Sequence, residues 1–304
     1  MNKIKIRKLL KLIYRHRVLY IMALPPMLAV FIFHYIPIYG VQIAFKDYSS
    51  RAGILGSEWV GLKHFKTFVS YPYFWRILNN TLAVSLASLT NFPFPIVFAL
   101  MLNEMRNTKL KKICQTITYA PHFISTVLVC SMTVLFLNRE GLFNIIGEIL
   151  NFPPSNLMSE PAAFPWIYSI SGLWSGLGWG TIIYMATLSG VSQELIEAAK
   201  IDGATRLQVV RHVNLPHLIP TIVTMFILRM GSLMSVGFEK VFLLQNPLNM
   251  EASSIISTYV YEVGIKAQNF SYSSAIGLFN NIINIILIMI TNAVSKRLTQ
   301  IGLW

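Results

Sequence analysis

The sequence predicts an all-α polytopic membrane protein with six transmembrane helices, and three observations carry that reading. Of the 304 residues, 54% are hydrophobic and only 12% are charged, about half the charge of a soluble globular domain. The shortfall reflects long uncharged apolar runs, the signature of helices crossing a bilayer core about 30 Å thick. The bases cluster at the ends of those runs, as they do on the cytoplasmic flanks of membrane helices.

The first span is expected over 18–43, inside an uncharged run from Val18 to Phe45. That run is much longer than the roughly 7–15 residues of a signal-peptide core, so it is expected to be retained. Pro25, Pro26 and Pro37 predict a kink or a break in it. The second span covers 77–103, with Pro93 and Pro95 near its middle. The third is expected over 114–137, the fourth over 165–189, the fifth over 217–238 and the sixth over 273–294. Between them lie outer connections at 46–76, 138–164 and 239–272, the second carrying the turn-like NFPPSN at 151–156. Residues 18–304 thus form one transmembrane domain behind a basic segment at 1–17.

Charge sets the orientation. Lys3, Lys5, Arg7, Lys8, Lys11, Arg15 and Arg17 precede the first span, and Arg106, Lys109, Lys111 and Lys112 separate the second from the third. With both termini cytoplasmic, sixteen Lys and Arg lie inside and eight outside, Arg229 within the fifth span being left out of both, which satisfies the positive-inside rule. The net charge of +13 therefore marks cytoplasmic flanks and no nucleic-acid surface. Cys114 and Cys130 lie sixteen positions apart in or beside one expected helix, about 24 Å at 1.5 Å per residue and beyond disulfide reach.

The polar region 190–216, between the fourth and fifth spans, contains EAAKIDGATRLQVVRHVNLP at 197–216. Ser192 is placed to cap a helix, with Glu194 and Glu197 near its positive end. Ala198 and Ala199 favour helix and have little bulk, and Asp202-Gly203 is a turn signal. Thr205 suits the cap of a second helix carrying Leu207, Val210 and Val213 along one side, and Pro216 suits the first turn of the fifth span. Glu194, Glu197, Lys200, Asp202, Arg206 and Arg211 sum to zero charge, whereas a lipid-binding interfacial helix is enriched in bases. On residues alone, an ordinary loop helix and a protein-docking element both remain open.

The same stretch resembles the EAA signature of ABC-importer permeases: Glu-Ala-Ala, three residues, Gly, nine residues, then Ile-x-Leu-Pro. Here it reads Glu197-Ala198-Ala199, Gly203, then Val213-Asn214-Leu215-Pro216, with valine for isoleucine the one departure. Asp202 and Ala204 complete the common Asp-Gly-Ala variant. LPPMLAVFIFHYIPIYGVQIAFKDY near the start, GSLMSVGFEKVFLLQNP at 231–247 and ISTYVYEVGI at 256–265 are similar to the carbohydrate-uptake branch, notably permeases for polysaccharides and complex oligosaccharides.

The resemblance implies the type I importer permease fold, with Glu197, Ala198, Ala199, Asp202, Gly203, Ala204, Leu215 and Pro216 in a cytoplasmic coupling helix that docks on an ATPase. It further implies two ATPase subunits carrying ATP and magnesium, an extracytoplasmic solute-binding protein, a second permease in a heterodimer, and a bacterial plasma-membrane location. The expected cargo is a carbohydrate moved by alternating access.

Candidates for the substrate path come from residues in the spans. Trp174, Trp179 and Tyr184 offer aromatic faces to sugar rings, though aromatics also gather at membrane interfaces. Gly172, Gly176 and Gly180 have the small-xxx-small spacing of close helix packing. Arg229 inside the fifth span defaults to a functional-site reading or to an ion pair, with Glu239 or with a partner's acid. Asn79, Asn80, Asn91, Asn280, Asn281 and Asn284 suit hydroxyl-rich ligands or interhelical hydrogen bonds equally.

Absences narrow the class. The chain has no phosphate-binding P-loop, no nucleotide fingerprint, no H-E-x-x-H and no G-x-S-x-G, so it is expected to bind no cofactor and to catalyse nothing itself. An ion-driven secondary transporter is the alternative. It requires intramembrane carboxylates or broken-helix ion sites, and the expected spans hold no Asp and only Glu104 and Glu239 at their margins.

Overall fold

A computed structural model describes residues 14–151 and 153–304. The first five bases of the basic segment, Lys3 to Lys11, and Phe152 of the NFPPSN turn lie outside the described residues.

The first helical run, α1 (Arg17–Phe45), is continuous. Pro25 and Pro26 sit within it without breaking it. Its accommodation is a π-turn at Phe31–Tyr35, just before Pro37. Proline removes one helix donor and crowds the preceding carbonyl, and a wider turn relieves both effects. No residue of α1 up to Ile38 is buried, and the run meets the rest of the chain chiefly through its last two turns, which pack on the final helix. A two-residue ribbon follows, Lys46–Asp47 pairing antiparallel with Glu58–Trp59, and then the short helix α2 (Lys63–Val69).

The expected second span is two helices, α3 (Phe74–Leu89) and α4 (Pro93–Asn103), parted at Thr90–Phe92. Pro93 and Pro95 occupy the first turn of α4, where no intrahelical donor is needed, so they restart a helix instead of bending its middle. The expected third span is also divided. A helix α5 (Thr108–Tyr119), capped by Asn107 through Lys109 N and Leu110 N at 3.0 and 3.1 Å, ends in a 3-10 turn holding Pro121. Ser125 then caps α6 (Thr126–Leu137), and α7 (Leu142–Ile149) follows.

At the centre stands α8 (Phe164–Leu188), packed against α3, α4, α5 and α6. Beyond it come α9 (Gln193–Ile201) and a continuous helix α10 (Arg206–Met230). Then follow α11 (Phe238–Leu244), α12 (Ile256–Tyr261) and the long α13 (Phe270–Thr299).

Among the described residues, five runs are long and apolar enough to cross a membrane: Arg17–Phe45, Phe74–Asn103, Thr126–Ile149, Arg206–Met230 and Phe270–Thr299. The helix at the fourth expected span, α8, has 25 residues and no charge, about 37 Å at 1.5 Å per residue. Its glycines, serines and tryptophans hold its hydropathy below that of the other five.

Small and polar residues knit α8 to its neighbours, as in membrane bundles where apolar burial offers little preference over lipid. Ser169 Oγ donates to Ala87 O at 2.6 Å, Asn91 Nδ2 donates to Ser169 O at 2.8 Å, and Thr187 and Thr221 hydroxyls meet at 3.0 Å. The closest approach uses a glycine outside the expected 172/176/180 stripe. A Cβ at Gly178 would overlap the Thr118 backbone carbonyl, whereas one at Gly176 would meet nothing within 4 Å. Three buried clusters fill the interior: one around Phe164, Val84 and Val241, a second around Phe68, Met234 and Ile276, and a third of Ile96, Ala99, Tyr184, Leu188, Val191 and Leu218. Cys114 and Cys130 are both free.

Candidate coupling site and polar path

The region 190–216 folds as a helix, a tight turn and the start of a longer helix. Ser192 occupies the N-cap position of α9 but its side chain makes no capping bond. The helix ends at Asp202, and Gly203 takes φ +79°, the left-handed conformation that glycine adopts without penalty. That turn is closed by Gly203 N to Lys200 O at 3.1 Å and Ala204 N to Ala199 O at 2.9 Å. Thr205 and Gln208 then form a reciprocal capping box, with Thr205 N donating to Gln208 Oε1 at 2.7 Å and Gln208 N donating to Thr205 Oγ1 at 3.4 Å.

One expectation for this region is corrected. The second helix runs through a π-turn at Val210–Asn214 into the stretch Leu215–Met230. Pro216 occupies the first turn of that last stretch, as expected. Leu207, however, does not share a buried side with Val210 and Val213. Leu207 is 76% exposed, and Val209, Asn214 and Leu218 are the buried residues of this face.

Burial separates an anchor from a free surface. Glu197, Ala198, Asp202 and Gly203 are exposed, as is Pro216, while Ala199, Ala204 and Leu215 are half-buried. Three large apolar side chains stand out beside them: Leu195 at 60% exposure, Ile201 at 87% and Leu207 at 76%. None of the six charges forms an ion pair, the one salt bridge among the described residues being Lys63 with Asp47. A cleft of about 330 Å³ opens between residues 103–106 and this region, with Glu104, Arg106, Lys200 and Arg206 on its walls. Beneath it Asn214, 1% exposed, donates from Nδ2 to Glu104 Oε1 at 3.2 Å, and its own Oδ1 accepts nothing. Sequence reasoning missed this link, although an asparagine inside VVRHVNLP was its visible sign.

The path candidates scatter. Trp174 and Trp179 are exposed, Trp179 stacking on His122 at 4.4 Å and 7°. Tyr184 is 4% exposed inside the third cluster, a packing residue with no face free for a ligand. Arg229 is in the last turn of α10, exposed, with no acid within ion-pairing distance, so Glu239 is not its partner. A second cation, unremarked in the sequence, lies nearby: Lys240 Nζ donates to Tyr168 O at 2.7 Å and sits 4.5 Å from the centroid of the Tyr168 ring. Burial pushes its pKa down to about 8. The asparagines divide: Asn80, Asn91 and Asn284 bond to backbone or Ser235 across elements, which assigns them to packing.

An uncharged central helix among five apolar runs and an exposed helix–turn–helix with unpaired charges are the features of a membrane transport component. Residues 91–300 match the family described as binding-protein-dependent transport system inner membrane component, and the chain belongs to that family. It is 40% identical over 307 residues to the polygalacturonan/rhamnogalacturonan transport system permease protein YteP of Bacillus subtilis (strain 168), covering all of this chain and 95% of that one. It is 42% identical over 292 residues to protein LplB of the same organism, covering 95% and 92%. Among solved structures it superposes on a chain of a bacterial ABC transporter involved in the import of the acidic polysaccharide alginate. That match has a TM-score of 0.86 and 36% identity, covering 96% of this chain and 99% of that one. It matches equally a chain of a bacterial alginate ABC transporter in complex with alginate pentasaccharide-bound periplasmic protein.

Proposed function

We propose that this chain is a membrane permease of an ATP-driven importer that carries an oligosaccharide or polysaccharide fragment into a bacterial cell by alternating access. The observation that carries this reading is the exposed α9–turn–α10 element. Its Glu197-Ala198-Ala199, Gly203 and Leu215-Pro216 spacing coincides with three exposed apolar side chains and a set of charges with no ion-pair partner among the described residues. A surface of that kind, small at its centre and apolar at its rim, fits docking onto an ATPase subunit. Closure of a pair of such subunits on ATP and magnesium would push on α9, and α10 is the continuous rod that carries the push into the membrane.

Three further parts of the reading have their own support. Charge bias supports a cytoplasmic position for both termini and α9. Length and lack of charge suit α8 to a sixth crossing. The stretch of α1 up to Ile38, in which no residue is buried, is the natural seat of a second permease, and an extracytoplasmic binding protein delivers the sugar. The cargo we favour is acidic: YteP and the alginate transporter are named for uronate-rich polysaccharides, and Arg229 and Lys240 are cations without an acid of their own. An ion-driven transporter finds no support, since no Asp lies in the long apolar helices and Glu104 is tied to Asn214.

The test is the double change Ile201→Asp with Leu207→Asp in the assembled importer. The ATPase subunits should no longer co-purify, and uptake in proteoliposomes should stop, while the helical circular dichroism is unchanged. ATPase retained together with wild-type uptake of trigalacturonate would overturn the reading.

A further inference from the structure

A second cavity of the described chain lies away from α9, at the far end of α10. Its volume is about 500 Å³, within the usual range of about 300–1,000 Å³ for small-molecule sites. Three elements wall it: the segment Met234–Phe238 that follows α10, the α12 region from Ile256 to Ile265, and the first turns of α13 through Asn281. No charged side chain lines it.

The lining divides into rings and neutral polar groups. Phe238, Tyr261 and Phe270 contribute aromatic faces, and Phe238 and Tyr261 are held together at 4.8 Å between centroids. The aromatic pair is backed by Phe242, 5.3 Å from Phe238 and 5.5 Å from Tyr261, so its position is fixed by packing. Opposite in chemistry are Ser257, Asn280 and Asn281. Ser257 Oγ and Asn280 Oδ1 are buried atoms with no hydrogen-bond partner among the described residues. A buried polar atom left unmatched forfeits its hydration with nothing in return. Two of them on one cavity, when Asn284 one turn along the same helix is bonded at both ends, are the mark of a site awaiting hydroxyls. Aromatic faces for the apolar faces of a pyranose, with neutral acceptors for its hydroxyls, are the chemistry of sugar recognition. Gly277 completes the shape, since a Cβ there would meet nothing within 4 Å and the ring space is left open.

We infer that this cavity is a saccharide-binding site within the permease, built for the ring and hydroxyls of a glycosyl unit and indifferent to its carboxylate. The inference rests on the importer reading above. It assigns Ser257 and Asn280 to hydroxyl recognition and Phe238 and Tyr261 to stacking.

The experiment is protection of a cysteine placed on the cavity wall. Asn281→Cys is introduced into the assembled importer in a Cys114→Ser, Cys130→Ser background and labelled with an uncharged methanethiosulfonate. Trigalacturonate and maltotriose are the probes. Either should slow labelling about tenfold at about ten times its Kd, since the free fraction falls as 1 + [L]/Kd. Adding Gly277→Phe, which fills the ring space, should abolish protection, and Ser257→Ala with Asn280→Ala should weaken it about threefold to tenfold.

Two results would overturn the site. One is absence of labelling in the assembled importer when the isolated chain labels, which would make the cavity a seat for the second permease. The other is labelling that neither saccharide slows. Stimulation of ATP hydrolysis by the saccharide-loaded binding protein, read on the same preparations, reports the importer reading separately. If stimulation persists while protection fails, the cavity assignment alone is lost.

Discussion

The turn between α9 and α10 and the cavity beside α13 sit at opposite ends of α10, a helix of 25 residues and so about 37 Å long. They present their chemistry in opposite ways. The turn is contiguous, contained in residues 192–216, and holds its shape through bonds between residues no more than five apart. Its unsatisfied groups point outward, and they are mostly charged or large and apolar. The cavity draws on three segments spread over residues 234–281, and its unsatisfied groups are neutral and point inward. A surface that docks a protein repeatedly needs a rigid local scaffold and a free exterior. A surface that holds a small polar cargo needs enclosure, which only long-range packing provides. The contrast therefore predicts that changes in the helical body act through folding, whereas changes at the turn act through coupling.

The largest effect should come from α8. In Gly178→Leu the side chain must displace the Thr118 backbone of α5, an overpacking that costs about 3 kcal/mol or more. The chain should fail to elute as a single species in detergent. Gly176→Leu, where space is open, should elute normally. Equal behaviour of the two would break the idea that α8 is the packing centre.

The turn comes next. Gly203→Val places a β-branched residue at φ +79°, a strain of about 1–2 kcal/mol that the flanking helices can relieve by reorienting α9. We expect a folded importer whose uptake per ATP hydrolysed falls about tenfold, the equivalent of about 1.4 kcal/mol in coupling. Asparagine tolerates the left-handed region, so Gly203→Asn should keep most of the uptake. If valine and asparagine transport alike, the turn geometry has no part in coupling.

How much of this was legible follows the same division. The turn was readable from Asp202-Gly203, Thr205 and the alanine pair because each acts through its nearest neighbours. Pro216 was readable too, since a proline's preference for a first turn is local, whereas the π-turn at Val210–Asn214 that joins it to the preceding helix had no such signal. The breaks at Thr90–Phe92 and at Pro121 had proline signals, yet hydropathy runs smoothly across them and merged each pair into one span. Tyr184 looked like a ligand face since an aromatic residue in a span reads the same whether it faces a path or a core. The Glu104–Asn214 bond left only a lone asparagine in VVRHVNLP as its sign, and the cavity left none: they join residues 110 positions apart or spread over 234–281, and only packing brings them together.

That Glu104–Asn214 link gives a prediction whose sign separates two roles. If it is a structural tie, Glu104→Ala leaves both ends of a buried asparagine amide unmatched and should lower stability by about 1–2 kcal/mol. Asn214→Leu removes the buried polar group altogether and should be neutral or slightly stabilising for the isolated chain. Thermal unfolding in detergent measures both. Uptake by the assembled importer then sharpens the comparison with the turn. Asn214→Leu should transport poorly despite its stability if the bond carries movement from α10 to the 103–106 segment, and normally if it only fills space.

The smallest effect concerns Lys240, outside the long helices and held against Tyr168. Burial lowers its pKa from 10.5 to about 8, so the folded chain binds this proton less readily than the unfolded chain does. Between pH 8 and 10.5 the unfolded state therefore holds more protons, and stability rises with pH across that window. Below pH 8 the full burden of the buried charge is present. Lys240→Met keeps the aliphatic stem and removes the charge. The thermal midpoint of the variant should exceed that of the unaltered chain by about 2 °C at pH 7, with the gap closing as pH rises past 8. Saccharide uptake supplies the second readout. A charge kept at this cost has a reason if anionic cargo passes it, and then Lys240→Met should raise the KM for trigalacturonate and leave that for maltotriose unchanged. An equal rise for both would place Lys240 with the packing residues of α8, and would leave Arg229 as the cation to examine for acid recognition.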